Sequence, residues 1–112
     1  MIVPATHVRL VMTTAGSREE AERIAAALVE AQVAACVNLV PGVSSVYRWR
    51  GEVETANEVL LLIKTVAENL DAVESAVRQL HSYELPEFLV LQPEAAGQAY
   101  AEWLVSAAAS PR

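Results

Sequence analysis

The sequence predicts an α+β domain of the split βαβ, ferredoxin-like kind, in which helices cover one face of an antiparallel four-stranded sheet. Three observations lead there. The segments read in the order β-α-β-β-α-β with one trailing helix. Two strand-forming arms meet at Arg50-Gly51, where glycine supplies the positive φ of a tight hairpin turn. Pro41-Gly42 interrupts the first of those arms. Because proline cannot donate to an interior ladder, that arm belongs at a sheet edge, with a bulge or bend at the Pro-Gly pair. The second strand of a split βαβ unit is an edge strand, so the proline agrees with the topology. At 112 residues the chain is one domain, 1–112.

The first strand is "HVRLVMTT", 7–14, rich in β-branched and apolar residues. The period then turns helical. Ser17, followed three residues later by Glu20, reads as a capping box, and Ala21, Ile24, Ala25, Leu28 and Val29 form one apolar face behind it. The hairpin follows, with arms "AACVNLVPGVSSVYRWRGEVE", 34–54, and "EVETANEVLLLIKTV", 52–66. Leu70, Val73, Val77 and Leu80 mark a second amphipathic helix, "EFLVLQP", 87–93, a fourth strand, and Tyr100, Trp103, Leu104 and Ala107 a short C-terminal helix.

Each hairpin arm runs about fourteen residues, on the order of 45 Å at 3.3 Å per residue, whereas a sixteen-residue helix is only about 24 Å long. The helices are too short to cover such a hairpin. Its return arm is also apolar on both faces, with Val59, Leu61 and Ile63 on one side and Leu60 and Leu62 on the other, although antiparallel sheets normally leave one face wet. An exposed ribbon of that kind aggregates, so the sequence implies a closed homo-oligomer whose hairpins cover one another's open faces.

Composition excludes other classes. The net charge is -6, and no Lys/Arg cluster offers a footprint for phosphate backbones, so nucleic acid and anionic membranes are not expected partners. One cysteine makes no internal disulfide, and "MIVPATH" has neither the charged nor the apolar region of a signal peptide, which points to the cytoplasm. The longest apolar run, "VLLLI" at 59–63, is far below a membrane span of about 18 residues.

Across "AACVNLVPG", "YRWRGEVE", "LLLIKT", "LHSYELPE" and the terminal "Y..WL" the chain resembles the CutA family, the divalent-cation tolerance proteins. That resemblance implies a ferredoxin-like subunit, a homotrimer built through the long hairpin, a cytoplasmic location and a link to copper and other divalent metals. The trimer is also similar to that of PII-type signalling proteins, which gives an alternative: a regulatory module binding a small metabolite or protein partner in its intersubunit clefts.

Candidate metal ligands are Cys36 and His81. Cys36 lies in a strand between apolar neighbours, where a free thiol serves as a small hydrophobe or, if exposed at a groove, as a soft ligand for Cu(I) or Zn. His81 ends the second helix, where it can cap last-turn carbonyls or ligate a metal. The resemblance implies that Thr13 and Leu80 stand where some family members carry cysteine and histidine, leaving His81 alone of that set. His7, at the start of the first strand, reads as a surface residue. The resemblance further groups Trp49, Glu58, Lys64, Tyr83 and Glu87 near an intersubunit cleft, either as a site for a small anion or metal chelate or as interface aromatics with a Lys64–Glu87 ion pair. The residues contain no nucleophile with a histidine motif, no phosphate loop and no insistent carboxylate pair, so a binding protein is expected rather than an enzyme. An acylphosphatase-like reading fails at "TTAGSREE", whose two adjacent acids repel an anionic substrate.

Overall fold

The computed structural model describes residues 1–109. In chain order the elements are β1 (Ile2–Pro4), β2 (Val8–Ala15), α1 (Arg18–Glu30), β3 (Cys36–Trp49), β4 (Glu52–Val66), a 3-10 turn (Ala67–Asn69), α2 (Leu70–Leu80), β5 (Leu89–Leu91), β6 (Ala95–Gly97) and α3 (Gln98–Ala107). The main sheet runs β3-β4-β2-β5 and is antiparallel throughout. This is the ferredoxin-like arrangement, with the proline-bearing arm at its edge. Two features escape the pattern of the sequence. The fourth strand contracts to Leu89–Leu91, and β1 and β6 pair as a separate two-stranded ribbon through Ile2↔Gly97 and Pro4↔Ala95.

The hairpin is as long as expected. At its tip Arg50 (φ 51°) and Gly51 (φ 84°) both take the left-handed conformation that matches a two-residue turn to the twist of its strands. Lower down, Val40 faces Leu60 while Val43 faces Glu58, so Pro41 and Gly42 together oppose the single residue Val59. That is the expected bulge, and Gly42 reaches it with a φ of 73°. Beyond the bulge the ribbon leaves β2 behind, because the β2 ladder ends at Ala15↔Val59. The molecule accordingly measures 46 × 28 × 21 Å.

Helix α1 starts where the Ser17 Oγ accepts the Glu20 N–H at 3.2 Å. Only half of the capping box forms, because the Glu20 side chain turns into the fold instead of back to Ser17. Of the anticipated apolar face, Ala21, Ile24 and Leu28 are buried, while Val29 stays exposed. They pack with Val73 and Val77 of α2 onto Val11, Ala15, Val59, Leu61 and Ile63 of the sheet, forming the main core. Alternation along the strands then sends Leu10, Met12, Leu60, Leu62 and Lys64 to the opposite face. Helix α3 covers the Val8↔Val66 end of that face through Leu104 and Ala108; its Tyr100 and Trp103 are half-exposed. The rest stays open, with Val40, Leu89 and Leu91 exposed at 40%, 57% and 43%. None of the described helices is long and apolar enough to cross a membrane.

Candidate functional site

Polar side chains gather where the 81–88 connection from α2 to β5 passes the end of β2. The passage is close: a Cβ on Gly16 would lie 3.1 Å from the Tyr83 Oη. His81 follows the last turn of α2, and its side chain is fully enclosed. Its Nε2–H donates to the Thr14 carbonyl at 2.6 Å, and its Nδ1 accepts the Tyr83 backbone N–H at 3.1 Å. That pairing specifies the Nε2–H tautomer and uses both ring nitrogens. The capping expectation for His81 is therefore replaced by a bridge between β2 and the connection.

Glu20 enters the same cluster from α1. Its Oε2 accepts the Ser82 N–H at 3.2 Å, and its Oε1, which has no hydrogen-bond donor among the described residues, lies 3.6 Å from the His81 Nδ1. Tyr83 Oη–H donates to Glu58 Oε2 at 2.7 Å. Glu58 is only 8% exposed; burial pushes its carboxyl up, but hydrogen bonds from Ser45, Tyr83 and Thr14 outweigh that and hold it below its ordinary value. Burial, and then the bond to Glu58, push the Tyr83 phenol up. Glu87 is pushed up by burial and by the Glu58 charge.

The two carboxylates should give opposite slopes in a stability profile. Glu87 has a folded value above its unfolded one, so its contribution is present at low pH and is lost as pH rises through the folded value. Glu58 is depressed, so its contribution is present above the unfolded value and is lost as pH falls through the folded one. On acidification, urea midpoints should therefore climb as Glu87 takes up its proton. They should fall once pH drops below the ordinary glutamate value of 4.5. Glu87→Gln should flatten the climb, and Glu58→Gln should flatten the fall and trim the climb. Profiles identical to the parent in both variants would refute this assignment.

The structure divides the residues that the sequence grouped. Glu58, Tyr83 and Glu87 come together. Trp49 stays at the hairpin tip, 5.3 Å from the Arg50 guanidinium, which in turn pairs with Glu84 of the 81–88 connection at 2.7 Å. Lys64 is six positions from Glu58 along β4, about 20 Å at 3.3 Å per residue, so Lys64 sits near the end of the strand and Glu58 near its middle. It forms no ion pair with Glu87; its Nζ sits 5.8 Å from the Tyr100 ring centre instead. His7 pairs with Glu68 at 3.1 Å on the surface.

Nor do the candidate metal donors converge. Half-buried Cys36 opposes Lys64, whereas His81 holds Thr14, which opposes Leu60 four positions away, about 13 Å along the strand. Thr13 is buried with its hydroxyl unpartnered, and Leu80 packs against the core. Among the described residues no group of three or more His, Cys, Asp or Glu side chains is placed to hold a metal ion. Sequence reasoning missed Glu20, Ser45 and Thr14 as members of the polar cluster. A glutamate three residues after a serine cap gave no sign that it would turn inward.

Comparison with known proteins places this geometry. The family model described as CutA1 divalent ion tolerance protein matches residues 9–107. A divalent-cation tolerance protein CutA of Thermus thermophilus is 44% identical over 95 residues, which is 85% of this chain and 92% of that protein. The chloroplastic Protein CutA 1 of rice is 41% identical over 85% of this chain, and there the match spans 54% of the relative's length. The solved CutA structure from Synechococcus elongatus superimposes with a TM-score of 0.92 at 39% identity, covering 97% of this chain and 96% of that one. A match across nearly the whole chain, in sequence and in the path of the backbone, makes this protein a member of the CutA1 divalent ion tolerance family.

Proposed function

We propose that the protein acts as a non-catalytic, homotrimeric divalent-cation tolerance protein of the cytoplasm, with copper as its principal metal and Cys36 as the thiol that meets it. The observation that carries the trimer is the open face of the main sheet. Leu62, Met12 and Leu89 lie there in register, the first two half-buried and Leu89 57% exposed. Apolar surface of that extent is stabilised by burial against further copies, at about 25 cal/mol per Å². Cys36 belongs to the same open face, opposite Lys64 and half-buried. A soft thiolate there suits Cu(I), whereas His81 has both nitrogens committed and donates nothing to a metal in this conformation.

The test joins assembly and metal on one sample. Light scattering at micromolar concentration should return three times the 12.1 kDa subunit mass. Calorimetry with Cu(I), Cu(II) and Zn should show binding that Cys36→Ala removes while the trimer persists. A stable, soluble monomer would overturn the assembly, and unaltered copper binding by Cys36→Ala would remove the thiol from the site.

A further inference from the structure

The 81–88 connection is tied to the rest of the fold one residue at a time, and each tie goes to a different element. His81 holds the Thr14 carbonyl of β2. The Ser82 N–H donates to Glu20 of α1 at 3.2 Å, and the Tyr83 phenol donates to Glu58 of β4 at 2.7 Å. Glu84 pairs with Arg50 in the hairpin turn. The backbone N–H groups of Ser82 and Tyr83 thus bond to side chains, the second to the His81 Nδ1 at 3.1 Å, and neither joins a strand or a helix. Leu85 is 70% exposed, and the connection rejoins the main core at Phe88.

We propose that residues 82–87 form a strap that opens as one unit, hinged at His81 and Phe88, and serves as a lid over Glu20 and Glu58. Opposing contributions act on the closed strap. The bond from Tyr83 to the Glu58 carboxylate is charge-assisted and favours closure. The Arg50–Glu84 pair adds little, because its side chains are 70% and 72% exposed. Against closure stands the Glu20 Oε1, which is buried with no hydrogen-bond donor among the described residues and so carries an uncompensated desolvation cost. Lifting the strap returns that oxygen to water. A segment held by few apolar contacts and a handful of polar bonds opens at a lower free energy than the sheet beneath it. Because Ser82 and Tyr83 are adjacent, moving the phenol off Glu58 carries both N–H groups away from their acceptors, and the ties release together. The His81 ring stays seated through Thr14, so the open strap presents its freed Nδ1 beside two carboxylates that the closed form withholds from solvent.

Native-state amide exchange followed by NMR, on the full chain in its solution assembly, reads the opening directly. The Ser82 and Tyr83 amides should show equal protection although their acceptors differ, and about tenfold less or lower than the Leu61 amide in the middle of β4. Tyr83→Phe removes the bond to Glu58 and should speed both amides together, about tenfold. Ile63→Val is a buried change five positions from Glu58 along β4, and it lowers the stability of the closed and open forms alike. It should therefore speed Leu61 exchange about fivefold and leave Ser82 and Tyr83 unaltered. Unequal protection, with only one of the two amides answering to Tyr83→Phe, would mean that each bond frays alone. Acceleration of both by Ile63→Val would make the opening global, and no protection at either would mean that the strap does not close. Each of these three results overturns the proposal. If Tyr83→Phe fails to fold, the Ile63→Val comparison decides alone.

Discussion

Leu61→Lys should leave no folded chain. Leu61 is 0% exposed and sits at the middle of β4, opposite Thr13 on one side and Leu39 on the other, facing the α1 and α2 side chains. None of these neighbours carries a charge, so a lysine ammonium placed there either sheds its water unpaired or gives up its proton. Losing the leucine contacts as well brings the penalty to about 5 kcal/mol. That is as large as the whole stability of many small domains, about 5–15 kcal/mol. Circular dichroism and sedimentation of the expressed variant should show unfolded or aggregated material. A soluble Leu61→Lys chain with a parental urea midpoint would mean that this side of β4 is not the core.

His81→Ala should destabilise the fold by about 3 kcal/mol, because the ring serves two backbone groups at once and each becomes a buried, unsatisfied group worth roughly 1–3 kcal/mol. The Thr14 carbonyl loses its donor and the Tyr83 N–H its acceptor. The connection that carries Tyr83 then loses its attachment to β2, and the Tyr83–Glu58 bond loosens with it. Urea unfolding measures the loss directly. His81→Gln, which keeps one donor and one acceptor, should recover part of it. A His81→Ala midpoint within experimental error of the parent would show that water replaces the ring freely and that the bridge carries little.

Where burial is repeated along the chain, the sequence could be read. The β-α-β-β-α-β order, the hairpin turn and the Pro41-Gly42 bulge follow from periods and from the backbone limits of proline and glycine, all of which are local. β1 and β6 were illegible because three residues, such as Ala95–Gly97, are too few to show a period. Only Leu104 of the four apolar positions expected in α3 is fully buried, since the helix packs on the end of one sheet face rather than across it. The grouping of Trp49, Glu58, Lys64, Tyr83 and Glu87 came with the family signatures, and within one subunit Glu58 and Tyr83 are hydrogen-bonded while Lys64 lies apart from them. Strand spacing already separates the two within one subunit, since Lys64 is six positions along β4 from Glu58. His81 was legible as a helix-terminal residue, yet its two partners lie on β2 and on its own connection, and no local pattern announces that.

The bulge also fixes how the chain could change length. Cross-strand partners sum to 100 from Cys36↔Lys64 to Val40↔Leu60 and to 101 from Val43↔Glu58 to Trp49↔Glu52, so one residue of Pro41-Gly42 is surplus to the ladder. Losing either of these two residues would bring both halves of the hairpin into one continuous register with every facing pair retained. Losing any other single residue of β3 would force one half to slip, exchanging its inward and outward side chains. Natural deletions in this arm therefore have one permissive address, two residues wide, and the same address is where an inserted residue would be absorbed with least disturbance to the facing pairs.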